Sequence, residues 1–145
     1  MNKKYVMILH VLGLLVVSSS SLYAQKKDSS WRDTLNHLQY LVVNKQRYIG
    51  KPFSLLEKDL EFKIKKFIPI HGLFQNKNAE TVTTFYLIDV KRERDYSFPQ
   101  LLVTWKPYLN GKISDSLFFK DHGKWSRYSD SLYSSQIIGD ISTNQ

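Results

Sequence analysis

The spacing of apolar residues changes several times along this chain, and each spacing predicts a different kind of segment. Tyr5 to Val17 is an almost unbroken apolar run behind Lys3 and Lys4, interrupted only by His10 and Gly13. Ser18 to Ser21 follow, and Leu22-Tyr23-Ala24 sets a small residue before Gln25. A basic start, an apolar stretch and a small-residue site in that order predict a secretory signal peptide over residues 1–24, cleaved between Ala24 and Gln25. A spanning helix needs about 20 apolar residues, so the run is too short to predict a transmembrane segment in the mature chain. Residues 25–30 are polar and read as a flexible spacer before a single domain over 31–145.

From Trp31 the apolar positions are Trp31, Leu35, Leu38 and Val42, a spacing that lines one face of a helix. Ser29 or Ser30 can cap its start, and His37 falls on the flank away from the stripe, where exposure is expected. Tyr48-Ile-Gly-Lys-Pro52 turns the chain, with Gly50 in a conformation that side chains avoid and Lys51 left in solvent. Ser54-Leu-Leu-Glu57 reads as a capping box opening a short helix through Leu60. Beyond Glu61 the period becomes two: Phe62, Ile64, Ile68 and Ile70 share one side of an expected first strand, and Lys66 breaks the pattern.

Gln75 to Asn78 is a turn cluster. Thr81 to Val90, dense in β-branched and aromatic residues, predicts a central strand. Leu101 to Lys106 predicts a third, with Leu101, Val103 and Trp105 on one face, and Asn110-Gly111 reads as a further turn. Residues 114–120 fit a helix or a fourth strand equally. Trp125, Tyr128, Leu132, Ile138 and Ile141 suggest a last helix, although serine is a poor helix former. The whole predicts an α+β domain: an antiparallel meander of three to four strands with helices packed on one face.

Composition narrows the chemistry more than it names it. The 145 residues contain no cysteine, which removes disulfides, thiol redox chemistry and a lipoprotein anchor. A mature domain of this size buries about two thirds of its unfolded surface, enough for a core without staples. The net charge is +8, from 21 Lys and Arg against 13 Asp and Glu, and removal of Lys3 and Lys4 leaves it basic. Such a balance favours anionic partners in principle. The densest groups, Lys63, Lys65, Lys66 and Lys91, Arg92, Arg94, are spread or interleaved with acids, so solvated surface is the expectation and nucleic acid is disfavoured.

No motif fixes a reaction. His37, His71 and His122 stand apart, without a His-x-His or His-Glu-x-x-His pattern, and no Gly-x-Ser-x-Gly elbow occurs. Glu57, Asp59 and Glu61 alternate with apolar residues, Asp115, Asp121, Asp130 and Asp140 lack calcium-loop spacing, and Gly50-Lys51 lacks the glycine of a phosphate loop. No catalytic residue, metal or cofactor is assigned. The binding candidates are Lys51, His71, Arg92, Arg94 and His122; Gly50, Pro52, Trp105 and Trp125 are read as structural.

The stretch Asn44-Lys-Gln-Arg-Tyr-Ile-Gly-Lys-Pro-Phe-Ser-Leu-Leu-Glu-Lys-Asp-Leu60 resembles a segment of small uncharacterised secreted bacterial proteins. The likeness runs from Asn44 to Lys65, with a weaker echo over Trp125 to Ile141. It implies a secreted or envelope protein and carries over no catalytic residue. The expected function is a non-enzymatic binding or interaction module, secreted or periplasmic, whose partner is a protein or an envelope component. The alternative is a small envelope-acting hydrolase or inhibitor-like partner using His71 or His122. A third is binding of anionic polymers through the basic surface.

Overall fold

Backbone hydrogen-bond needs and a set of large aromatic side chains shape the domain. The structure, a computed structural model, describes residues 30–72, 77–91 and 96–144. The expected signal peptide, its Ala24–Gln25 site, and Arg92 and Arg94 lie outside the described residues. Chain contacts separate a unit over 1–33 from a unit over 34–145, and the second holds the sheet and its core.

Helix α1 includes residues 30–43, and a single 3-10 turn follows at Lys45–Arg47. Then come α2 (Phe53–Lys58), β1 (Lys66–His71), β2 (Ala79–Tyr86), β3 (Gln100–Asn110), α3 (Gly111–Asp121), α4 (Arg127–Tyr133) and β4 (Ile138–Thr143). The four strands form one antiparallel sheet in the order β1-β2-β3-β4, an α+β architecture with β2 in a central position.

Strand alternation divides the sheet residues. Phe67, Phe85, Leu101, Val103, Trp105 and Ile141 join Leu38, Leu41, Phe53, Leu56 and Tyr133 in the main core. Ile68, Tyr86 and Val90 form a smaller cluster with Ile88, Phe98 and Phe118. The main core is a stack of rings: Phe53 lies flat on Phe85 at 4.9 Å, and Trp105 and Trp125 stack on Tyr133 at 5.5 and 5.9 Å. Each such pair adds about 0.5–1.5 kcal/mol beyond area burial.

Several local expectations are corrected by where backbone groups find partners. Ser54 does not cap α2. Pro52 is the N-cap, no side chain caps it, and the free N–H groups of Phe53 and Ser54 donate to the Gln136 and Ser134 carbonyls at 2.8 and 2.9 Å. The capping box instead belongs to α4, between Ser126 and Ser129. Asn110-Gly111 is a helix start rather than a turn, because the Asn110 side chain accepts from the Lys112 N–H. Residues 114–120 are helical, within α3.

Parity explains the rest. The first strand starts at Lys66, not Glu61, and Phe67 rather than Ile68 points into the main core; Ile70 is exposed. The expected last helix stops at Tyr133, and Ile138 and Ile141 belong to β4. Their helical spacing arises because Trp105 pairs with Ile138 while Thr104 pairs with Asp140, which leaves Gly139 as an extra residue. On α1 the buried face is Thr34, His37, Leu38 and Leu41, so His37 is buried rather than exposed.

The segment around Gly50 locks α2 to the start of β4. Gly50 takes φ +74 and donates to the Ile138 carbonyl, and the Ile138 N–H returns to Lys51. Pro52 and Ile137 form an isolated bridge. The stretches Asn44–Lys65 and Trp125–Ile141 are thus hydrogen-bonded to each other.

Candidate functional site

The end of α2 and the start of α4 face each other across a groove. Its lower wall is the run after α2, where Leu60 donates to the Glu57 carbonyl and Lys65 donates to Tyr86. The opposite wall is set by Trp125, whose N–H donates to the Lys65 carbonyl at 2.9 Å. Ser126 then caps α4 and gives its own hydroxyl hydrogen to Asp121 Oδ2 at 2.7 Å. The groove measures about 760 Å³ and is lined by Glu57, Leu60, Phe62, Lys63, Ile64, Trp125, Arg127 and Asp130, among others. Its size falls within the range of ordinary ligand clefts.

Two carboxyls meet in this groove. Both line it, and the Glu57 carboxyl is pushed up from 4.5 to about 7, first by burial and then by the charge and hydrogen-bonding of the neighbouring Asp130 carboxyl. Near neutrality the Glu57 carboxyl is therefore partly protonated. Lys63 and Arg127 stand on the same rim. Trp125 is half-buried, stacked on Tyr133 and edge-on to Phe53, Phe67 and Phe85, so the aromatic wall is held by the core.

His37 supports the wall formed by the run after α2 from behind. Its Nε2 accepts the Glu61 N–H at 3.2 Å, its Nδ1 lies 3.6 Å from Glu61 Oε1, and its ring meets Phe62 edge-on at 6.0 Å. Asp59, next in line, accepts a 2.7 Å hydrogen bond from Tyr48 and lies 3.6 Å from Arg47. Burial and that carboxylate push the Tyr48 hydroxyl up to about 12, so it stays a donor.

A second polar cluster is sealed. Glu80 is fully buried on β2; its Oε1 accepts from the Thr83 and Tyr133 hydroxyls, and Thr83 Oγ1 in turn accepts from Trp105 Nε1 at 2.8 Å. Burial raises the Glu80 carboxyl, while Ser114, Thr83, Tyr133 and His71 pull the other way. The Tyr133 hydroxyl is itself raised by burial and by Glu80. Among the described residues, Glu80 Oε2 and His71 Nε2 have no hydrogen-bond partner, although His71 Nε2 lies 3.3 Å from Asp115 Oδ2 as a charge contact.

The residues singled out from sequence scatter over these places. Lys51 is exposed beside Gly50. His71 ends β1 and faces Asp115 of α3, and His122 is the left-handed C-cap at the other end of α3 with φ 51. An 11-residue helix separates the two histidines by about 16 Å, so they do not share a site. Trp105 is buried in the core and Trp125 reaches the groove. The Glu57–Asp130 pair joins residues 73 positions apart, and nothing in local spacing signals it. In the sequence each is one unremarkable member of a separate acidic set.

Among the described residues no group of three or more His, Asp and Glu is placed to hold a metal ion. No helix among them is long and apolar enough to cross a membrane. No protein-family model, curated protein or solved structure matches the chain.

Proposed function

We propose that this chain is a binding module that works outside the cytoplasm after loss of residues 1–24, and that the groove between α2 and α4 holds its ligand. The observation that carries the reading is the placement of the Glu57 and Asp130 carboxyls in one open groove beside Trp125, with Glu57 raised by burial and by Asp130. A carboxyl pair with one proton both donates and accepts, which suits hydroxyl-bearing ligands. An indole wall suits the apolar face of a ring. The ligand class is therefore a glycan of the cell envelope.

Soluble amino-sugar oligosaccharides released from envelope glycan, titrated while amide shifts are followed by NMR, test this. The expected result is saturable shifts centred on residues 57–64 and 125–130, with at least tenfold weaker binding in Glu57→Ala. Shifts elsewhere, or none at any glycan concentration, reject the groove as a glycan site.

A second reading, hydrolysis, is favoured by one observation: a carboxyl near 7 in an aromatic-walled groove is what a general acid requires. It moves the hydrolase alternative from His71 and His122 to Glu57. Cleavage of the same oligosaccharides by the wild type, abolished in Glu57→Gln, would replace the binding reading with this one.

A further inference from the structure

Away from the groove, α3 turns an unusual face to solvent. Five of its residues are exposed: Lys112, Ile113, Ser116, Phe119 and Lys120. At 3.6 residues per turn they fill one continuous arc of about 120°, and no acidic residue falls inside it. Ile113 is 49 % and Phe119 72 % exposed, so two large apolar groups stand in water at the two edges of the arc, with Lys112 and Lys120 inside it. The acids of α3 are turned elsewhere, with Asp115 against His71 and Asp121 against Ser126.

The face continues onto α4. Lys120 Nζ sits 4.4 Å above the Tyr128 ring and Arg127 lies 4.8 Å from it, and Tyr128 is itself 45 % exposed. Lys124, between the helices, is exposed as well. Among the described residues none of these four cations is ion-paired with a carboxylate.

We propose that this face docks the protein onto an anionic lipid surface, with Ile113 and Phe119 entering the headgroup boundary and Lys112, Lys120, Lys124 and Arg127 meeting lipid phosphates. Cations flanking apolar side chains on one helix face match such an interface in charge and in depth. A soluble polyanion would satisfy the lysines but leave Ile113 with nothing to contact, since an aliphatic chain cannot stack on a ring as Phe119 can.

Flotation of the full chain with vesicles tests the proposal, comparing pure phosphatidylcholine with phosphatidylcholine containing phosphatidylglycerol. The apolar run near the N-terminus contributes to both, so the difference between them reads charge, and the variants locate it. The expected result is at least tenfold preference for the anionic vesicles, lost in the double variant Lys112→Glu/Lys120→Glu. Phe119→Ser, or Ile113→Ser should that variant unfold, should weaken binding at least threefold. Equal binding to both vesicles, or preference undiminished by the charge reversal, overturns the proposal. Binding that heparin displaces and that neither apolar substitution weakens also overturns it, in favour of a polyanion. Glu57→Gln should leave vesicle binding unchanged, which separates this face from the groove although Arg127 borders both.

Discussion

Glu80 and Glu57 are both carboxyls raised by burial, yet they sit in opposite kinds of surroundings. Glu80 is enclosed by Thr83, Tyr133 and Trp105 through hydrogen bonds that join β2, β3 and α4, with Ser114 of α3 beside it. No ligand reaches it. Glu57 is raised by burial and by one carboxyl neighbour, Asp130, and opens onto a groove. A sealed polar network fixes how elements meet, because every donor left without an acceptor costs about 1–3 kcal/mol. An open pair of carboxyls contributes little to that and has capacity to spare for a ligand. Similar chemistry thus serves two roles, and substitutions can separate them.

The largest effect is expected at the sealed carboxyl. Glu80→Ala removes the acceptor of two buried hydroxyls and leaves a cavity, so it should lower unfolding free energy by about 3 kcal/mol. Glu80→Gln keeps an acceptor oxygen and matches the neutral form that burial favours, and should stay within about 1 kcal/mol of wild type. Urea titrations of both variants check this. A Gln variant as damaged as the Ala variant would mean the charge itself is needed, and the contrast with Glu57 would fail.

Next comes the segment that carries α2, and with it Glu57, to the start of β4. Gly50→Val forces a β-branched residue to φ +74 and should cost about 1–3 kcal/mol. No atom lies within 4 Å of the added Cβ, so at that carbon the cost is backbone strain and not a clash. Lys51→Ala, one residue on and exposed, should change stability by less than about 0.5 kcal/mol. Thermal melts of the pair compare them directly, and equal midpoints would contradict the role given to Gly50.

A close approach makes a comparable test at the edge of the sealed cluster. A side-chain carbon on Gly111 would lie 2.5 Å from the His71 ring and 2.7 Å from the Asn78 carbonyl oxygen. The carbonyl accepts the Gly111 N–H itself, so it cannot retreat without losing that bond. Gly111→Ala should therefore cost about 1–3 kcal/mol, and combining it with His71→Ala should relieve only the part owed to the ring. A double-mutant cycle by urea denaturation reads that coupling; full rescue would show that the carbonyl contact carries no strain.

These contacts also explain which features are legible in the sequence. The meander, the central strand and the Leu101, Val103, Trp105 face come from period-two patterning, which survives folding because strand faces are set by the backbone. The positive φ at Gly50 comes from local sterics. Local reading fails where a partner distant in sequence supplies what a neighbouring residue usually supplies. Carbonyls of Ser134 and Gln136 replace the cap expected from Ser54, and an extra residue at Gly139 gives β4 a helical spacing. His37 reads as exposed because its partner Glu61 lies 24 residues on, beyond α2. The groove escapes for the same reason: Glu57 and Asp130 carry no relation until α2 and α4 are brought together.

The smallest effect tests the raised Glu57 carboxyl itself. Glu57 moves from 4.5 to about 7 on folding, so the folded state holds a proton more tightly than the unfolded chain does. Stability from this group is then complete below about pH 4.5, declines as pH rises from 4.5 to 7, and is constant above that. Glu57→Gln stays neutral throughout and retains a donor for Asp130. The two proteins should melt together near pH 4.5, and the Gln variant should melt higher at pH 8. Partial solvent exposure screens the interaction and holds the gap to less than about 1 kcal/mol, or about 2–4 °C for a domain of this size. Melting both proteins across that range cancels every other titrating group, because only residue 57 differs. A gap that does not vary with pH would mean that Glu57 is an ordinary exposed carboxylate, and the open half of the comparison would lose its chemistry.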